Sequence, residues 1–169
     1  MTPLSELNTV DEARFLELTG GALEGEVWLA ERVLRHRPFA DVEAIIEAFE
    51  TEINGASQLE KIQLIASHPD LGVKVNANLS NASVQEQASA GLDQLTEAEY
   101  TEFTALNTHY KQTFGFPFVI CAREHNKHSI LTMFKTRLEN PRDTEIHIGT
   151  GEIIKIIRLR LFDLVNPSE

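Results

Sequence analysis

The chain is short of cations, cysteine and long apolar runs, and each shortage excludes a class of function. Lysine and arginine number 15 against 26 aspartates and glutamates, for a formal charge of -11 over 169 residues. Nucleic-acid affinity comes from Lys and Arg neutralising phosphates and releasing counterions, so this balance argues against a nucleic-acid partner. A small anionic ligand would need a local positive site set into a negative surface, which places weight on individual arginines. No stretch approaches the roughly 18 consecutive apolar residues of a membrane span. The opening "MTPLSELNTVDEARF" lacks the basic and apolar regions of a signal peptide, so the expectation is a cytoplasmic protein without a membrane partner. The single cysteine, Cys121, has no partner for an internal disulfide, and its neighbours Val119, Ile120 and Ala122 predict an inert buried thiol. None of the six histidines stands in an HExxH or comparable cluster, and the closest pair, His125 and His128, lies among polar residues, so no metal site is expected.

What the chain does have is apolar residues at helical spacing behind helix start signals. With 42% hydrophobic content, this predicts an all-α single domain over 1–169, a helical bundle. Asp11 is placed to cap "EARFLELT", and "EVWLAERVLRHR" should run until Pro38. Asp41 is placed to cap "VEAIIEAFETEI", and Ser57 with Glu60 forms a capping box before "KIQLIAS". That helix should end near His68, because Pro69 disfavours the α conformation at the residue before it. Ser83 with Glu86 repeats the capping-box spacing ahead of a short helix stopping near Gly91. Thr96 with Glu99 does the same before "YTEFTALNTHYKQTF". "KHSILTMFKTRLEN" reads as a helix ending before Pro141. The final "DTEIHIGTGEIIKIIRLRLFDLV" reads as helix with a possible break at Gly149 and Gly151.

One segment, "FGFPFVICARE" at 114–124, interrupts this pattern with Gly115, Pro117 and an apolar run, and predicts an irregular extended stretch near 115–122. A buried strand without a partner leaves costly unpaired N–H and C=O groups. Either it is a helix connector bonded to water and side chains, or its backbone from Phe118 to Ala122 lines a pocket for an amide-rich ligand. In the second case Phe114, Phe116 and Phe118 supply an apolar wall.

On the last helix, Arg160 falls within roughly 60° of Ile153, Ile157 and Leu164, in the middle of an apolar stripe. Arg158 lies opposite, near Ile154, Phe162 and Val165, which predicts a helix buried on two faces. Each arginine is either half of a structural salt bridge or a bidentate clamp for a substrate carboxylate. His68 reads by itself as a helix C-terminal cap, favoured by the macrodipole, and Glu86 as the acidic half of a capping box.

The order "HPDLG" at 68–72, "SVQEQASAGL" at 83–92, "FGFPFVIC" at 114–121 and "KIIRLRLFDLV" at 155–165 closely resembles the OHCU decarboxylases, the 2-oxo-4-hydroxy-4-carboxy-5-ureidoimidazoline decarboxylase family of urate catabolism. "GEVWLAERVLRHRPF" at 25–39 also resembles that family's early helix. The resemblance spans nearly the whole chain and implies an all-helical, cofactor-free homodimer acting on a small anionic ureide. Carried over by motif, His68 is the catalytic histidine, with Pro69 beside it a substrate-binding residue, and Glu86 its acidic partner. Ser83 and Gln87 are polar substrate ligands. Phe116, Phe118, Val119, Ile120 and Cys121 form the substrate-facing segment, whose main chain meets the ring and ureido amides. The "LRL" at 159–161 selects Arg160 as a further substrate contact. One departure is "IIR", where the family more often has a small residue after Ile156. Two other classes stay open from the residues: a cyclic-ureide hydrolase using His68 and Glu86 on water, and a non-catalytic helical small-molecule-binding module.

Overall fold

In a computed structural model, described here for residues 1–73 and 79–166, the chain is essentially all-α. The described helices are α1 (Leu4–Thr9), α2 (Glu12–Thr19), α3 (Val27–Leu34), α4 (Val42–Gly55), α5 (Gln58–Ala66), α6 (Asn81–Ser89), α7 (Glu97–Phe114), α8 (Lys127–Arg137) and α9 (Arg142–Leu164). Thr2–Pro3 and Val165–Asn166 pair as a minimal parallel ladder, β1 and β2. Neither α1 nor this ladder is foreshadowed by periodicity. The described residues divide into two compact units, one of residues 1–61 with 154–166 and one of residues 62–73 with 79–153, so that the division falls within α5 and α9.

In the first unit, start signals act as the sequence predicts. Asp11 accepts the Arg14 N–H at 2.9 Å and Asp41 that of Ala44 at 2.8 Å, each satisfying a donor that a helix start leaves unpaired. Ser57 and Glu60 exchange both hydrogen bonds of a capping box. Glu60 also meets Arg32, and that guanidinium together with the Ser57 N–H holds its carboxyl down at about 2. The core comprises Phe15, Leu29, Val33, Ile45, Ile53 and Leu161, all shielded from solvent. Each such burial is worth about 1.5–3 kcal/mol. Helix α3 stops at Leu34, short of the expected Pro38.

The second unit is organised around aromatic rings. Phe103, Tyr110 and Phe114 recur at helical spacing on the buried face of α7. Tyr110 is edge-on to Phe118 at 5.3 Å, and Phe118 stacks on Phe134 at 3.7 Å. The Thr96–Glu99 capping box starts α7, and Gly115, at φ 82°, ends it in the left-handed conformation that glycine adopts without a Cβ penalty. Inside this unit lies a fully buried ion pair. Glu145 accepts from Arg137 Nε at 2.8 Å and from Asn140 Nδ2 at 2.9 Å, and the Tyr110 hydroxyl donates to it at 2.5 Å. Burial and the neighbouring carboxylate push the Tyr110 phenol well above its ordinary range.

Two expectations about α9 are corrected. The helix is continuous through Gly149 and Gly151. Gly149 serves packing instead, since a Cβ there would stand 3.0 Å from Ile65 Cδ1. The face bearing Arg158 is also exposed, with Phe162 at 41% exposure, so α9 is not buried on two faces.

Candidate active site

His68 follows the last turn of α5, and its main-chain N–H still bonds the Ile65 carbonyl at 3.2 Å. Its ring Nδ1 lies 3.0 Å from the Leu64 carbonyl oxygen. A carbonyl only accepts, so this contact places a proton on Nδ1 and leaves Nε2 as the other ring nitrogen. The expected C-terminal cap is therefore present, and it fixes the tautomer and ring direction. The residue is 9% exposed.

The turn after His68 is held from several sides. Gln87 Oε1 accepts the Gly72 N–H at 3.2 Å and Gln87 Nε2 donates to the Asp70 carbonyl at 3.3 Å. Asn107 Nδ2 donates to the Leu71 carbonyl at 2.7 Å, and Lys111 pairs with Asp70 at 2.6 Å. Gly72, at φ 67°, is doubly required, because a Cβ there would stand 2.8 Å from the Phe103 ring. Gln87, expected as a substrate ligand, thus has both ends of its amide engaged in bracing the "HPDLG" turn. Pro69 is half-buried in the same turn.

The capping box expected of Ser83 and Glu86 is not there. Ser80 is the N-cap of α6 and accepts the Ser83 N–H at 3.1 Å, so the helix begins earlier and Ser83 and Glu86 lie within it. The spacing misled because Ser80 has Ser83, and not an acid, three residues on. Ser83 and Gln87, one turn apart, are buried while Glu86 is half-exposed. Helix α6 packs against the Ala122–Glu124 turn. There burial, reinforced by the Glu124, Glu152 and Glu86 carboxylates, pushes the Cys121 thiol up to about 11. This agrees with an inert thiol.

That segment is irregular from Phe116 to Cys121, and every residue in it is buried. Part of its backbone is satisfied by side chains, as the connector reading expected: Arg137 donates through an NH group to the Val119 carbonyl at 2.7 Å, and Glu152 accepts the Cys121 N–H at 2.9 Å. The Phe118 ring is enclosed by Tyr110, Phe134 and the Arg137 guanidinium, whose carbon is 4.3 Å from its centre. Phe116 stacks with Phe114 at 6.0 Å. The Phe118 ring is therefore core, leaving its main chain as the part able to face a ligand.

In the first unit, Arg160 is buried and its NH2 group donates to Glu24 at 2.7 Å, whereas Arg158 is exposed on Glu43. Nearby Glu26 accepts the Glu24 N–H at 3.1 Å, and burial raises its pKa, with Glu24 adding to the shift and Arg160 opposing it. The structure brings His68, Pro69, Ser83, Glu86, Gln87 and the 116–121 segment into one unit, and Arg160 belongs to the other. Sequence reasoning missed Arg137, Glu145, Asn107 and Glu152. For two of them a signal was present, since Arg137 follows Ile130 and Phe134, and Asn107 follows Phe103, on buried helical faces.

Comparison with known proteins adds a concordant result. The family model described as OHCU decarboxylase matches residues 8–162. A 2-oxo-4-hydroxy-4-carboxy-5-ureidoimidazoline decarboxylase of Halalkalicoccus jeotgali is 32% identical over 166 residues, 98% of this chain and 93% of that protein. A uric acid degradation bifunctional protein of a Bacillus species is 36% identical over 169 residues, 100% of this chain but 33% of that protein. Among solved structures, (S)-allantoin synthase shares the fold with a TM-score of 0.79 at 23% identity, covering 98% of this chain and 54% of the other.

Glu26 generates a stability prediction. Its raised pKa means the native state favours the neutral form, so its contribution is lost as pH rises from the ordinary value of 4.5 through the raised one. Glu26→Gln keeps an oxygen to accept the Glu24 N–H and should raise the thermal midpoint at pH 7 by about 2–4 °C, the shift that about 1 kcal/mol produces in a chain of this size. At pH 4 the gain should largely vanish, as paired thermal melts would show.

Proposed function

Because the chain belongs to the OHCU decarboxylase family, we propose that it converts 2-oxo-4-hydroxy-4-carboxy-5-ureidoimidazoline to (S)-allantoin and carbon dioxide in urate degradation. The observation that carries the reading to this chain's chemistry is the His68 ring, locked by the Leu64 carbonyl into one tautomer beside the turn braced by Gln87. The reading includes a cytoplasmic homodimer. Among the described residues no helix is long and apolar enough to cross a membrane.

Breaking the bond to the carboxylate leaves an electron pair that flows into the conjugated imidazoline, giving an enolate-like intermediate, and one proton then adds to one face. The ring is its own electron sink, so the reaction needs no cofactor. Catalysis consists of holding the carboxylate orthogonal to the ring, stabilising charge as it develops and directing the proton. His68 Nε2 engages the 4-hydroxyl or carboxylate and assists loss of carbon dioxide. Glu86 orients His68 and repels the substrate carboxylate, an unfavourable contact relieved as neutral carbon dioxide departs. The packing of α6 on the Ala122–Glu124 turn supports placing Glu86 on the helix that borders the extended segment. Ser83 contributes polar contacts, and Arg160 is read as a further contact to the anionic substrate, as the family resemblance implies. The test generates substrate in situ from urate with urate oxidase and the 5-hydroxyisourate hydrolase, then measures carbon dioxide release. Acceleration well above the spontaneous rate supports the reading; ring opening without carbon dioxide would instead favour a ureide hydrolase, and binding without turnover a non-catalytic module.

His68→Asn is a discriminating variant, because an amide nitrogen can still donate to Leu64 and keep the cap while the ring Nε2 is gone. Turnover should fall at least roughly 100-fold, about 2.7 kcal/mol in barrier, with the fold intact. Near-normal turnover would leave His68 a cap only. With no capping box at Ser83, Glu86→Gln removes charge from the helix interior without removing a cap. It should fold normally and lose on the order of 100-fold in turnover, and a fully active variant would take Glu86 out of the mechanism. Arg160→Lys should impair kcat/KM more than Arg158→Lys, since only Arg160 loses a buried planar fork, and melts of both variants separate this from a folding defect.

A further inference from the structure

Two side chains outside the expected site act on adjacent peptide groups of the extended segment. Arg137 holds the Val119 carbonyl and Glu152 holds the Cys121 N–H. The only cis peptide bond among the described residues is Arg37–Pro38, so the peptides on both sides of Ile120 are trans. In a trans peptide the C=O and N–H point in opposite directions across one rigid plane. Fixing the Val119 C=O toward Arg137 therefore turns the Ile120 N–H away from Arg137. Fixing the Cys121 N–H toward Glu152 likewise turns the Ile120 C=O away from Glu152. Ile120 is 3% exposed, and among the described residues no hydrogen bond reaches either of its main-chain groups. Buried N–H and C=O groups are nearly always paired, so this donor and acceptor are suited to a ligand.

Resting on the reading above, we propose that Arg137 and Glu152 are positioning residues, which set the two peptide planes flanking Ile120 so that its N–H and C=O present a fixed donor–acceptor pair to the amide groups of the ureide substrate. Neither side chain needs to touch the substrate. Arg137 is itself anchored: it is 2% exposed, its Nε is fixed on Glu145, and its guanidinium lies over the Phe118 ring. Such an anchor holds a peptide plane more rigidly than a solvated cation would.

Steady-state kinetics and thermal melts of Glu152→Ala, Glu152→Gln and Arg137→Lys test the proposal. Glu152→Ala frees one plane and should raise KM on the order of tenfold with kcat little changed, the signature of lost uniform binding. Glu152→Gln still offers an oxygen to the Cys121 N–H and should recover most of the loss. Arg137→Lys keeps a cation beside Glu145 but not the second, rigidly placed N–H, and should raise KM at least as far. Wild-type KM in Glu152→Ala and Arg137→Lys would overturn the proposal, as would a loss of kcat that follows the fall in thermal midpoint and is equal in Glu152→Gln. If the wild-type protein itself fails to accelerate carbon dioxide release, the functional reading falls and this positioning role falls with it.

Discussion

Glu145 is a carboxylate with no access to water, and the second unit is arranged around satisfying it. Desolvating such a charge costs several kcal/mol, which is offset only when every oxygen is well bonded. Tyr110 brings α7, Arg137 brings α8 and Asn140 brings the turn before α9 to that one group. The same arginine then reaches the Val119 carbonyl, so the compensation of a buried charge and the placing of an irregular backbone are one event. A segment that forms neither helix nor sheet acquires a defined conformation from side chains, the arrangement a main-chain recognition surface needs.

A second consequence concerns roles that the sequence sets against each other. For His68, cap and catalyst looked like rival explanations, yet the contact with Leu64 makes them compatible: the cap consumes Nδ1 and thereby defines what Nε2 can do. For Arg160 the structural salt bridge is present, to Glu24, and the substrate-clamp reading stays a proposal beside it. Gln87 moves in the other direction. Its amide bonds the backbone of Asp70 and Gly72, so it braces the histidine turn against α6, while each end keeps capacity for a further bond.

Helix starts were legible where a local rule governs them. Asp11, Asp41, Ser57 and Thr96 all cap as their spacing indicates, since these bonds involve residues three apart and depend little on the rest of the chain. The rule failed at Ser83, where an equally good serine three residues earlier took the cap. Packing between distant residues was not legible: the close approach of Gly149 to Ile65, and the exposure of the Arg158 face, have no local signature. Candidate site residues emerged from family resemblance, because a histidine at a helix end and a glutamate within a helix are unremarkable by composition. The braces behind them, Arg137, Glu145 and Glu152, bond partners between 8 and 35 residues away and needed the fold to be seen.

On the proposed function, a rigid main-chain surface and a single-tautomer histidine have one joint consequence, that the intermediate is protonated from one face. Spontaneous decay has no such preference and should give racemic allantoin. The circular dichroism of allantoin formed from freshly generated substrate therefore tests the account most directly. The account predicts rapid growth of the signal of the (S) enantiomer, in proportion to enzyme added. A racemic product, or a signal no faster than that of the uncatalysed reaction, would contradict it.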